Sequence, residues 1–227
     1  MIGRIGLGLA LVVAGCSVST ASPSPSAGAV RYVALGDSYT IGTSVGESER
    51  WPNQLVDRVA GTTGVQLVAN LGVNGYASAY LIGDELPRLD GLRPDFVTVL
   101  IGVNDVVRFT PADAYRTNVA QILDFLLETL PAKRIVVVST PDYTRTPAGA
   151  SFGDPVQQRA AIAQYNGIER DAAEARGIAF VDISSVADRA DTDATLVARD
   201  GLHPSGVQYS GWVDLVAPVV AALLQGG

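Results

Sequence analysis

The single histidine of this 227-residue chain, His203, lies three residues after an aspartate in the run Asp200-Gly201-Leu202-His203-Pro204. Imidazole is the side chain whose ordinary titration falls near neutrality, so acid–base chemistry of that kind has one candidate here. The partner in type is Ser38, in Gly36-Asp37-Ser38 near the other end of the chain. A serine hydroxyl becomes nucleophilic when a base takes its proton. A carboxylate on the far ring nitrogen, here Asp200, fixes the tautomer and stabilises the imidazolium that forms. Ser38, His203 and Asp200 are thus the parts needed for acyl transfer through a covalent intermediate. The tetrahedral oxyanion of such a reaction needs donors already aimed at it. The backbone N–H groups of Ser38 and Gly75 and the side-chain amide of Asn104 are the candidates, and a glycine at 75 lets backbone approach a substrate without a Cβ. With no second histidine, activity is expected to rise with pH through one imidazole step.

These residues are far apart in sequence, so the fold must bring them together. Five short apolar runs rich in β-branched residues predict strands: Val30–Leu35, Val65–Asn70, Phe96–Ile101, Ile135–Ser139 and Ile178–Ile183. Helices are predicted between and after them, at Pro52–Ala60, Ser78–Leu89 with a break near Pro87, Pro111–Leu130, Val156–Arg176 and Val207–Leu224. Pro111–Leu130 carries the clearest stripe, with Tyr115, Val119, Ile122, Leu126 and Leu130 on one face. Strand alternating with helix predicts a parallel sheet covered on both faces, an α/β fold. Ligands of such sheets bind beyond the carboxyl ends of the strands. The Ser38, Gly72–Gly75 and Gly102–Asp105 segments each follow a predicted strand, and Asp200–His203 follows the fifth. Four separate segments are therefore expected to meet on one rim.

The amino terminus reads differently. Residues 1–15 resemble a signal peptide: Arg4 supplies a positive charge, and Ile5–Val13 is apolar but too short to span a bilayer. Val13-Ala14-Gly15-Cys16 resembles the bacterial lipobox, in which the cysteine becomes the lipid-modified first residue. Cys16 is also the only cysteine. Residues 16–29 are dominated by Ser, Pro, Ala and Gly and read as a tether, leaving 30–227 as one domain. The expectation is an exported domain whose only membrane contact is a lipid on Cys16; the alternative is free secretion after cleavage following Ala27-Gly28-Ala29.

Composition removes other classes. With 23 acidic against 16 basic residues and one lysine, Lys133, nucleic acid is not an expected partner. One His and one Cys are too few for a zinc site, and no Gly-rich phosphate motif follows the first strand, so no metal or cofactor is expected. Asp188, Asp191 and Asp193 lack the spacing of a calcium loop. Asp37 and Asp105 read as acceptors that shape turns or cap helices. Gly149-Ala150-Ser151-Phe152-Gly153 fits a nucleophile elbow in letters. No strand leads directly into it, because Pro141–Pro147 intervenes, so Ser151 reads as loop. The Thr140–Asp154 stretch is expected to shape the pocket, with Tyr143 or Phe152 as walls.

Taken together, Gly36-Asp37-Ser38, Asn70–Gly75, Gly102-Val103-Asn104-Asp105 and Asp200–Pro204 resemble the motif blocks of the SGNH hydrolases, the GDSL esterase/lipase family. Trp51-Pro52 is similar to a pair many members carry at the first helix. The resemblance implies a three-layer α/β/α domain with a five-stranded, flavodoxin-like parallel sheet. It also implies metal-free hydrolysis of a carboxylic ester, whether of a small molecule, a lipid or a glycan, through an acyl-enzyme on Ser38. An O-acyltransferase using a cell-wall glycan, or a catalytically silent surface binding lipoprotein, are the alternatives. Tyr39 stands where the namesake pattern has Leu, a departure expected to touch pocket shape.

Overall fold

A computed structural model of the chain describes residues 28–225; the signal peptide, Cys16 and nearly all of the tether lie outside the described residues. The β-branched runs form five strands, β1 (Val30–Gly36), β2 (Val65–Asn70), β3 (Phe96–Leu100), β4 (Ile135–Val138) and β5 (Ala179–Val181). All pairings are parallel, in the order β2-β1-β3-β4-β5. This is the flavodoxin-like order, with the chain reversing direction of growth between β1 and β3. Every residue of β3 and β4 is buried, as a sheet covered on both faces requires.

The helices in chain order are α1 (Ser38–Ile41), α2 (Trp51–Thr63), α3 (Ser78–Tyr80), α4 (Leu89–Leu92), α5 (Val103–Val107), α6 (Ala112–Leu127), α7 (Pro155–Glu174), α8 (Ser184–Ala187) and α9 (Gly206–Gln225). Helices α2 and α9 pack together as one layer, and α6 and α7 as the other. Fully buried Trp51 and Trp212 anchor the first layer. Helix α6 buries the predicted stripe, Tyr115, Val119, Ile122 and Leu126, together with Leu123.

Two expectations are corrected. The helix predicted over Ser78–Leu89 is not broken at Pro87. Instead the helical path changes hydrogen-bond register, from α3 through a π turn at Leu81–Glu85 and a 3-10 turn at Leu86–Arg88 into α4. Proline lacks an N–H and tolerates the first turn of a new register, and these shifts let Leu81, Glu85, Leu86 and Leu89 all point inward. The fifth strand is shorter than Ile178–Ile183. Ile178 and Ile183 are buried but outside the ladder, and the Ile183 N–H donates to Ser139 Oγ instead.

The tightest point of the sheet is the end of β1. Gly36 has φ +149°, and a Cβ there would lie 2.2 Å from the Leu100 carbonyl oxygen and 2.4 Å from Thr40 Oγ1. Gly36→Ala should therefore destabilise the domain by about 2–4 kcal/mol, since backbone cannot yield as a side-chain tip can. A urea unfolding midpoint equal to wild type would contradict this packing.

Candidate active site

The chain leaves β1 at Gly36 and turns at once into α1. Asp37 caps that turn: its Oδ1 accepts from Tyr39 N at 2.9 Å. Ser38 is the first residue of α1, so its N–H has no acceptor within its own helix. Its side chain reaches a cavity of about 200 Å³ lined by Tyr39, Gly75, Val103, Asn104, Val107, Tyr143, Phe152, Leu202 and His203, among others. His203 Nδ1 lies 2.6 Å from Asp200 Oδ2, and the carboxylate makes Nδ1 the donor. Asp200 Oδ1 accepts from the N–H groups of Leu202 and His203 at 2.9 and 3.0 Å, which fixes the carboxylate to its own loop. That loop is pinned from two sides, by Ala198 N on His203 O at 2.8 Å and by Ala148 N on Gly201 O at 2.9 Å. The hydrogen bond between the imidazole and the Ser38 hydroxyl is not formed in this structure, although both line the one cavity.

Gly75 has φ +80°, and nothing lies within 4 Å of where its Cβ would be. Its carbonyl is tethered by Arg108 Nη2 at 3.1 Å. The loop that carries it is fixed by Asp105, whose buried carboxylate accepts both the N–H and the hydroxyl of Ser78 at 2.7 Å. The Asn104 side-chain amide is already engaged in this structure. Its Nδ2 donates to Tyr76 O at 3.0 Å and to Asp37 Oδ2 at 3.3 Å. The second contact is long for an N–H···O bond. Tyr39 packs its ring 5.2 Å from the imidazole, which makes the departure from Leu a wall of the cavity beside His203. Tyr143 and Phe152 are also walls, meeting edge to face at 5.9 Å. Ser151 is not in the cavity; it sits in a 3-10 turn, and its hydroxyl donates to Ala148 O at 2.6 Å.

A family profile described as GDSL-like lipase/acylhydrolase matches residues 34–209. The chain belongs to the GDSL-like lipase/acylhydrolase family. A multidomain esterase from Ruminococcus flavefaciens is 27% identical over 247 residues, covering 91% of this chain and 30% of that protein. The chain thus spans less than a third of that relative. Among solved structures, an α/β hydrolase enzyme from the metagenome of Lake Arreo, Spain, superposes with a TM-score of 0.66 at 20% identity, covering 86% of this chain and 96% of that one. An acetylxylan esterase from Geobacillus stearothermophilus gives 0.65 at 19% identity, covering 84% and 93%. These likenesses establish the α/β/α fold, and the chemistry of the family is that of hydrolases acting on esters.

Three features of the site had no motif to announce them. Ser44 donates to Asp200 Oδ2 at 2.5 Å, Arg108 holds the Gly75 loop, and buried Glu85 accepts the N–H of Gly36 at 2.9 Å. Glu85 belongs to a wider group. Burial pushes the Asp37 carboxyl up to about 7 and the Glu85 carboxyl up to about 8. It raises Asp105 and, much further, Glu169, which accepts from Tyr115 Oη at 2.7 Å. Asp37, adjacent to Ser38, is therefore a buried carboxyl held far above the usual carboxylate range. In the unfolded chain such carboxyls ionise near pH 4. Between that limit and pH 7–8 the folded state holds more protons than the unfolded one. Stability is then full below about pH 4, declines across the interval up to pH 7–8 and levels off above it. The urea midpoint is expected to fall between pH 5 and pH 9, with a shallower slope in Glu85→Gln. A midpoint independent of pH would refute the assignment.

Proposed function

We propose that this chain is a serine hydrolase that cleaves carboxylic esters through an acyl-enzyme on Ser38. His203 Nε2 takes the hydroxyl proton as Ser38 Oγ attacks the acyl carbon. Asp200 stabilises the imidazolium. The oxyanion is held by the N–H groups of Ser38 and Gly75 and by Asn104 Nδ2, with Asn104 exchanging its long contact to Asp37 for the new oxygen. The imidazolium then protonates the departing alkoxide. Water, deprotonated by His203, attacks the acyl carbon, and the carboxylic acid leaves as Ser38 regains its proton. The observation that supports this most is the meeting of Ser38, Gly75, Asn104 and His203 on one cavity, with Asp200 2.6 Å behind the ring. Family membership and the likeness to an esterase support the same bond type.

The size of the cavity supports a short acyl group. It holds about 200 Å³ and is walled on the apolar side by Val103, Val107, Tyr143, Phe152 and Leu202. Tyr143 is buried, whereas Phe152 is 37% exposed and is the wall open to solvent. Turnover is expected to be highest on acetyl to butyryl esters, with Phe152→Ala extending it to longer chains. A fluorophosphonate is expected to label Ser38 alone. Ser38→Ala and His203→Ala should each lower kcat by roughly four orders of magnitude while the fold persists. Absence of an adduct on the folded protein would sink the hydrolase reading, as would near-normal turnover in either variant.

The same reading has the domain exported and anchored through a lipid on Cys16. A palmitate analogue fed to the producing cells should then enter the wild-type protein and not Cys16→Ser. No incorporation into the wild type would remove the anchor and leave the esterase reading standing.

A further inference from the structure

Ser44 stands six residues after Ser38, in the loop between α1 and α2, and 156 residues before Asp200 in sequence. Its Oγ donates to Asp200 Oδ2 at 2.5 Å, the same oxygen that accepts from His203 Nδ1 at 2.6 Å. Asp200 Oδ1 is taken up by two N–H groups of its own loop. The carboxylate therefore accepts four hydrogen bonds, and Ser44 supplies the only one from the segment that carries Ser38. Its backbone is unusual as well. Ser44 has φ +69°, in the left-handed region that L side chains rarely adopt. A non-glycine residue held there costs free energy, and such positions cluster where a side chain must be aimed. The loop is braced to hold it: Gly42 and Thr43 both return their N–H groups to Ser38 O at 3.1 and 3.0 Å. Thr43 Oγ1 donates to Asn74 Oδ1 at 2.6 Å.

We propose that Ser44 is a positioning residue, which ties the nucleophile's segment to the aspartate–histidine loop and sets how much negative charge Asp200 presents to the imidazole. The inference rests on the Ser38–His203–Asp200 reading of the site. Burial acts to raise the Asp200 carboxyl, but the Ser44 hydroxyl, the two N–H groups and the imidazole together hold it well below the usual carboxylate range. A donor on Oδ2 withdraws charge that would otherwise hold the imidazolium. Removing it should make the imidazolium harder to deprotonate, leaving less free base at neutral pH. The other titratable and charged groups around this pair are Tyr39 on α1, Tyr209 on α9, Tyr143, Asp37 and Arg50. Burial holds the three tyrosines neutral through the working range, and the Ser44 hydroxyl donates to Asp200 and to none of the five.

Two substitutions separate the hydroxyl from the backbone, because Ser44→Gly relieves the left-handed strain and Ser44→Ala keeps it. With only one histidine, the imidazole Cε1–H gives a single proton resonance whose titration can be followed directly in the folded domain. Both variants are expected to move that midpoint to higher pH, to move the acid limb of kcat/KM in the same direction, and to lower kcat/KM at neutral pH by about tenfold, the equivalent of one hydrogen bond to a charged group. A midpoint unchanged from wild type in both variants overturns the inference, even where activity falls. Ser38→Ala measured alongside keeps the two readings apart. If it retains turnover the Ser38 mechanism fails, while the resonance titration still decides whether Ser44 tunes the imidazole.

Discussion

The site depends on how closely two backbones approach where β1 meets β3. Gly36 fits between the Leu100 carbonyl and Thr40 because it has no side chain, and its N–H is held by Glu85 rather than by the sheet. That crowding forces the chain to turn immediately, so Asp37 becomes a cap and Ser38 becomes the first residue of a helix. A second close approach completes the turn from the other side: a Cβ on Gly72 would lie 2.7 Å from Ile41 N and 2.8 Å from Asp37 O. Ser38 is held between two backbones, and neither approach tolerates a methyl group. Little in this arrangement can relax, which suits a hydroxyl that must meet an imidazole arriving from the opposite end of the chain.

The group of carboxyls below this turn is the counterpart of that rigidity. Asp37, Glu85, Asp105 and Glu169 are all buried. Each serves as a fixed acceptor for a group that the folded loops leave without a sheet or helix partner: Tyr39 N, Gly36 N, Ser78 N and Tyr115 Oη. Mutual repulsion adds to burial in raising Asp37, Glu85 and Glu169.

What the sequence made legible follows from which physical signals are local. Strands β1 to β4 were visible because β-branched runs are bounded by Gly and Pro. The four site segments were visible because each follows a strand in a fold whose ligands sit at strand ends. The passage from Ser78 to Leu92 was not, because apolar spacing reports which face is inward and not which carbonyl each N–H reaches. The π turn changes the second without erasing the first. Glu85 and Glu169 were missed for a related reason: a charged residue reads as solvated until the fold shows it enclosed. Ser44 had no signal at all, since a serine in a polar loop gives no sign of a left-handed backbone.

Ser38 and His203 lie near opposite ends of the described residues, and the helices that follow them, α2 and α9, pack against one another as one layer. A chain emerging amino end first displays its serine long before its imidazole exists. Until synthesis reaches His203 the hydroxyl has no imidazole beside it, and until α9 follows, α2 has no partner helix. On the proposed mechanism, hydrolytic capacity is thereby withheld from every incomplete copy until its last helix is made.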